Sequence, residues 1–300
     1  MPINYNYSEP ERLFTSARLS SYKSAINTKN NAELFGAYNW NLAVIGAFYP
    51  LIQLIEVSLR NTLSNAAIAS ISTTGNNHWF DDIPHRLDQV TNGPAEQVTK
   101  FKEKMASAKR SAKRALRDKG LATAEPTHDQ IIASTDFVTW EYLLDGHFYN
   151  GSDNTFLWPA GITKAFKRLP ISTQKKKKMN DQRDKIRRRI ELVRGFRNRI
   201  SHNEPSWRVG NTTSPQGVIA DLTLVLNNMM ELLEWISPMF KRYTQDVGLE
   251  ARIKQLLHKS TLNRYMHSME EYDINDLSDL SELLKSANDE NTKCYFDVNG

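Results

Sequence analysis

The sequence predicts an all-α protein. Two observations predict it: apolar residues recur at spacings of three and four along most of the chain, and alternating β-branched runs hardly occur. The 300 residues are enough for a large core and one or two domains, and the apolar and charged fractions are those of a soluble globular protein. No 18-residue apolar run is found, so no membrane span is expected. The polar N-terminus, MPINYNYSEPERLF, lacks the apolar centre of a signal peptide. Cys294 stands alone, which excludes a disulfide framework and fits a reducing cytoplasm.

The elements follow in order. Residues 38–71 read as one long apolar helix or a pair. Pro50 is expected to kink or break it, since proline lacks an N–H and its ring meets the preceding turn. Residues 72–97 hold Gly75, Pro84, Gly93 and Pro94 and read as a loop. Residues 100–118 set Phe101, Met105, Ala108, Ala112 and Ala115 in one narrow stripe on an otherwise cationic helix, with Gly120 as its stop. HDQIIASTDFVTWEYLLDGHF reads as one helix or two, packing through Phe137, Trp140, Tyr142 and Leu143. NDQRDKIRRRIELVRGFRNRIS places Ile186, Ile190, Val193, Phe196 and Ile200 near one face. Pro205 disfavours helix at Glu204, so this helix should end close to His202. PQGVIADLTLVLNNMMELLEWISPMFKRY is amphipathic and broken near Pro238. Beyond about residue 245 the chain turns polar, with one or two short helices and a loose end expected.

The net charge of +5 is unevenly distributed. Residues 100–119 and 164–189 are strongly basic, whereas the stretch from Glu270 to Asp297 is acidic. Clustered lysine and arginine are the electrostatic footprint of a polyanion partner, and solvated helix faces are the plainer alternative. Several chemistries are missing. None of the seven histidines forms an i, i+4 helical zinc pair, and there is no cysteine pair, GxxxxGK[ST] loop, GxGxxG turn or GxSxG elbow. No metal site and no cofactor are expected.

What stands out is GFRNRISHNEP, residues 195–205, where a helix finishes on a crowd of polar groups. Arginine supplies a permanent charge with forked donors that match a phosphate, histidine moves protons near neutral pH, and asparagine orients either. Arg197, Asn198 and His202 are thus parts for cleaving RNA through its own 2′-hydroxyl, with proton transfers at both oxygens and a cation on the phosphorane-like charge. Gly195 removes a side chain one turn earlier, at a cost of about 1 kcal/mol against alanine, and leaves room for a second helix or an RNA backbone. On residue types alone, His202 as a plain helix cap and Gly195 as a packing relief are equally good accounts.

RNRISH has the RNxxxH form of the motif that marks HEPN ribonucleases, and FRNRISHNEPSW resembles the corresponding stretch of the abortive-infection (Abi-like) proteins of bacterial phage defence. YNWNLAVIGAFYPLIQLIEVSLRN, HWFDD, DFVTWEYLLD with LWPAGITKAF, and LLEWISP resemble further blocks of those proteins, in order, from about residue 10 to 240. The resemblance implies a HEPN-like helical bundle and a metal-independent endoribonuclease leaving 2′,3′-cyclic phosphate and 5′-hydroxyl ends. Carried over by position, Arg197 and His202 are catalytic and Asn198 supports them. Residues 1–120 then read as an N-terminal helical lobe with the basic helix, 121–245 as the HEPN-like region, and 246–300 as a polar, acidic extension. The expected role is a cytoplasmic toxin or anti-phage effector restrained by an RNA antitoxin. The alternative is a non-catalytic RNA-binding HEPN module.

The expected RNA surface comprises Lys109, Arg110, Lys113 and Arg114 on the first basic run. Lys175, Lys176, Lys177, Lys178, Arg187 and Arg188 supply the second. LRNTLSN (59–65) echoes FRNRISH (196–202), which adds Arg60 and Asn61. Either Arg60 pairs with Glu56 one turn away, or Arg60 and Asn61 join the active cleft of a monomer. One RNxxxH element offers one histidine, which favours a homodimer in which two such elements share a cleft. No membrane partner is expected.

Overall fold

A 38-residue helix, α3 (Asn31–Ile68), organises the molecule in a computed structural model that describes residues 5–121, 123–169, 176–208, 210, 212–267 and 274–289. Two short helices, α1 (Ser8–Phe14) and α2 (Ser16–Ile26), precede it. The basic helix α4 (Glu96–Asp118) follows, then α5 (His128–Ala133), α6 (Phe137–Leu143), a 3₁₀ turn at Gly146–Phe148 and α7 (Ala160–Ala165). The second long basic helix is α8 (Lys176–Ser201). After it come α9 (Pro215–Ile236), α10 (Pro238–Asp246), α11 (Leu249–Leu256), α12 (Lys259–Met266) and α13 (Leu277–Asp289). Among the described residues only two isolated bridges represent β structure, so the all-α expectation holds.

Pro50 does not break α3. Pro50 is exposed, and so is Gly46, whose carbonyl loses its partner at the proline. Water can satisfy that carbonyl, and a glycine at i−4 has no Cβ to crowd the ring. The opposite side of α3 buries Trp40, Val44, Phe48, Leu51, Ile55 and Leu59. By length and composition α3 is also apolar enough to cross a membrane, although asparagine, glutamine and glutamate interrupt its apolar run. In the fold it packs against α2, α6, α7, α9, α11 and α12.

The three-part division is not visible as separate cores. One apolar cluster runs from Tyr7 to Met266 and draws on α3, α4, α6, α8 and α9 alike. The stretch read as a polar extension supplies α11 and α12 to that cluster through Ile253, Leu262 and Met266. At Gly36 the approach is backbone to backbone: a Cβ there would lie 2.2 Å from the Tyr265 carbonyl oxygen, so only glycine fits. The indole of Trp40 donates to the Leu256 carbonyl at 2.8 Å and ties the same region to α3.

The ends of the helices follow local chemistry. Thr127 and Gln130 form a capping box at α5, Asp136 caps α6, Ser214 caps α9 and Ser237 caps α10. Gly120, at φ 79°, ends α4 with its N–H on Arg117 and the Leu121 N–H on Leu116, a Schellman motif. On α4 the buried stripe is Phe101, Met105, Ala108, Ala112 and Leu116; Ala115 is exposed, because the fourth step along the stripe falls one residue later.

Candidate functional site: the C-terminal end of α8

The site is built on a helix that stays regular to its last turn. Ile186, Ile190, Val193, Phe196 and Ile200 are all buried, with the Phe196 ring 4.9 Å from Phe48 of α3. Arg194 bonds Glu141 of α6 at 2.6 Å, and Arg189 pairs with Glu231 of α9. These contacts fix the rotation of α8, and hence which residues face outward.

The helix ends in a second Schellman motif. His202 N–H donates to the Asn198 carbonyl at 3.0 Å, Asn203 N–H to Ile200 at 3.1 Å and Glu204 N–H to Arg199 at 3.1 Å. Asn203 takes the left-handed position, φ 56°, one of the few non-glycine types suited to it. The Arg18 guanidinium, from α2, donates to the Asn203 carbonyl. Directly beyond, Pro205, Ser206 and Trp207 are buried. Ser206 donates from both N (3.0 Å) and Oγ (2.6 Å) to Asn41 Oδ1, while Asn41 Nδ2 donates to the Tyr22 hydroxyl at 2.9 Å. Burial pushes the Tyr22 hydroxyl far above its ordinary pKa, so it stays a neutral acceptor. Half-buried Arg199 donates to the Ser206 carbonyl at 3.3 Å, and burial lowers its pKa from the ordinary arginine value.

The polar crowd therefore divides. Arg199, Asn203 and Ser206 anchor the end of the helix. Asn198, His202 and the half-buried Arg197 remain available to a ligand. Neither Arg197 nor His202 makes an ion pair among the described residues, and the His202 imidazole has no hydrogen-bond partner among them. In a regular helix a five-residue spacing sets Arg197 and His202 about 140° apart around the axis, whereas Asn198 and His202 are about 40° apart. The arginine side chain compensates by reaching back: its Nη1 lies 3.4 Å from Asn198 Oδ1, on the His202 flank. Gly195 is exposed, with nothing within 4 Å of where its Cβ would be. It sits two turns before His202 on nearly the same line, so the outward face of α8 is open there. Sequence reasoning missed Arg18 and Asn41. They are remote in sequence, and only the closure of α2 and α3 onto the end of α8 brings them in.

The other expected residues are dispersed. Arg60 makes no pair with Glu56 among the described residues; its Nη1 donates to the Ala133 carbonyl at 3.2 Å and holds the end of α5. Phe48, twelve residues earlier on α3, is the one against Phe196. Arg60 and exposed Asn61 therefore lie about 18 Å further along α3, away from His202. On α4, Lys109, Arg110 and Arg114 are exposed and make no ion pair among the described residues, while Lys113 pairs with Glu125. On α8, Arg187 pairs with Asp184 and Glu191, and Arg188 with Asp184. Helix α8 begins at Lys176; Lys175 and the side chains of Lys176, Lys177 and Lys178 lie outside the described residues. No group of three or more potential metal-ligating side chains is assembled among the described residues. No protein-family model matches the chain, and no curated protein or solved structure matches it.

Proposed function

We propose that the chain is a metal-independent endoribonuclease acting as a toxin or anti-phage effector, with Arg197, Asn198 and His202 as its reacting groups. The supporting observation is the contrast at the end of α8. The backbone is held by a Schellman motif and by Arg18, yet the arginine, asparagine and histidine side chains have no acidic partner among the described residues. A residue kept only to cap the helix would be engaged with the backbone, and that work is done by Asn203 and Arg18.

In this reading Arg197 neutralises the charge developing on the scissile phosphate, Asn198 positions a phosphate oxygen, and His202 transfers a proton. The reaction needs one proton taken from the 2′-hydroxyl and one given to the leaving 5′-oxygen. A homodimer pairing the outward faces of two α8 helices across Gly195 supplies two imidazoles, and Lys109, Arg110 and Arg114 of α4 hold the RNA. An RNA antitoxin suits the same basic surface, and the expected setting is the cytoplasm without membrane attachment.

The alternative, a non-catalytic RNA-binding module, draws on one observation: nothing among the described residues fixes the tautomer of His202. RNA incubated with the protein in EDTA separates the two. The ribonuclease reading expects fragments with 2′,3′-cyclic phosphate ends, lost in His202→Ala and in Arg197→Ala at unchanged melting temperature. Binding without cleavage by the wild-type protein supports the module. Cleavage that disappears in EDTA and returns with magnesium overturns the metal-free mechanism.

A further inference from the structure

A second site lies well away from His202. A cleft of about 360 Å³ opens between the start of α4, the end of α6, the 3₁₀ turn and the first half of α8, lined by Gln97, Tyr142, Asp145, Gly146, Arg183 and Arg187 among others. Arg183 is nineteen residues before His202, about 28 Å along the helix.

Arg183 is only 6 % exposed. Its Nε donates to Asn180 Oδ1 at 3.2 Å and its Nη1 to the Leu144 carbonyl, which finishes α6. It makes no ion pair among the described residues. A buried cation without a counter-ion is expensive, and here burial holds the guanidinium below its usual pKa even though Asp184 and Asp145 pull the other way. The carboxylates of the cleft each hydrogen-bond a partner other than Arg183. Asp145 accepts from His147 at 2.7 Å, Glu141 from Arg194 at 2.6 Å, and Asp184 from Arg187 and Arg188 at 3.2 and 2.8 Å.

Two guanidinium groups approach one point beside Gly146. A Cβ on Gly146 would lie 3.7 Å from Arg183 Nη2 and 4.0 Å from Arg86 Nη2. Arg86 is exposed and makes no ion pair among the described residues; the same Nη2 donates to the Gly146 carbonyl at 2.9 Å, which holds the guanidinium beside Gly146. A structural role accounts for Nε and Nη1 of Arg183, but not for its Nη2, which lies on the same side of Gly146 as a second arginine that has no ion pair among the described residues. Helix α4 adds its N-terminal end at the rim, with no capping side chain on its first N–H groups.

We infer that this cleft binds a phosphomonoester of nucleotide size, its phosphate bridging Arg86 and Arg183 beside Gly146 and its organic part lying against Tyr142 and Gln97. Two forked cations match a dianion better than the single charge of an internal phosphodiester, and the volume is that of a small-molecule site. The ligand is either a free nucleotide or the 5′-phosphorylated end of an RNA. The inference does not depend on the ribonuclease reading.

Calorimetric titration of the full chain carrying His202→Ala, which removes any cleavage, tests it. The probes are a mixture of the four nucleoside 5′-monophosphates against the same nucleosides, and a short 5′-phosphorylated oligoribonucleotide against its 5′-hydroxyl twin. The expected result is a preference of about tenfold or more for the phosphorylated member of at least one pair. The pair that shows it identifies the source. Arg86→Ala, on the surface, and Gly146→Ala, which puts a methyl where the phosphate sits, should each remove the preference without lowering the melting temperature. Equal affinity within both pairs overturns the inference, as does a preference that survives both substitutions.

Discussion

Arg18 and Asn203 are 185 residues apart in sequence, and the guanidinium of the first donates to the carbonyl of the second. That bond closes α2 onto the end of α8 at the residue following His202. Asn203 already holds the left-handed position of the terminal turn, so side chain and backbone fix the same point. The position of His202 is thus set by a residue far outside its own helix.

Arg18→Ala separates positioning from stability. The bond is exposed, so its loss should cost less than about 1 kcal/mol. Looser placement of His202 should nonetheless lower RNA cleavage severalfold, with little change in RNA affinity. Arg18→Lys should restore part of the rate. Unchanged cleavage in Arg18→Ala would show that the contact only closes the fold.

Gly195→Ala has opposite expectations for a single chain and an assembled one. In the single chain the site is open, and replacing an exposed mid-helix glycine should stabilise by roughly 0.5–1 kcal/mol. If two α8 helices meet at this face, the added methyl pushes them apart. Light scattering should then show a shift to monomer, and cleavage should fall although the melting temperature rises. A variant that is more stable and equally active removes the dimer from the proposal.

RNA held by α4 should be released by salt. Lys109, Arg110 and Arg114 carry no ion pair among the described residues, so neutralising all three should reduce the slope of log affinity against log salt by about 2 for single-stranded RNA. Lys113, engaged with Glu125, should contribute less. A slope that does not change would make these residues ordinary solvated charge.

Acidification should loosen the contact between α3, the loop before α4, and α5. The Ser64 hydroxyl lies 3.0 Å from His128 Nε2, the Trp79 indole donates to Ser64 at 3.2 Å, and His128 Nδ1 lies 3.4 Å from His78 Nδ1. Burial and then His78 push His128 below its ordinary pKa, and burial does the same to His85. The unfolded chain takes up these protons near pH 6.5 while the folded chain resists them. Stability should therefore be full above about pH 6.5 and decline as pH falls toward the folded values. Melting temperatures between pH 7.5 and 5 measure this, and His128→Gln, which is uncharged throughout, should flatten the decline. An equal decline in the variant would assign the effect to other groups.

Much of this molecule is legible in its sequence. Helical periodicity gives the all-α class, and the buried face of α8 is read correctly from Ile186 to Ile200 because an amphipathic helix carries its own record of which side is inside. The stops at Gly120, near His202 and at Pro238 follow from backbone chemistry that acts within a few residues. The unbroken path of α3 through Pro50 depends on that turn facing water. The membership of α11 and α12 in the core depends on a glycine that admits a neighbouring backbone. The division of the GFRNRISHNEP polar groups into anchors and free side chains depends on Arg18, Tyr22 and Asn41. So does the distance of Arg60 from that end, and the meeting of Arg86 with Arg183, on how the helices pack. Hydrophobic pattern and local caps are properties of short windows and survive in the sequence, whereas which polar groups satisfy one another is settled only when helices distant in the chain close on a common core.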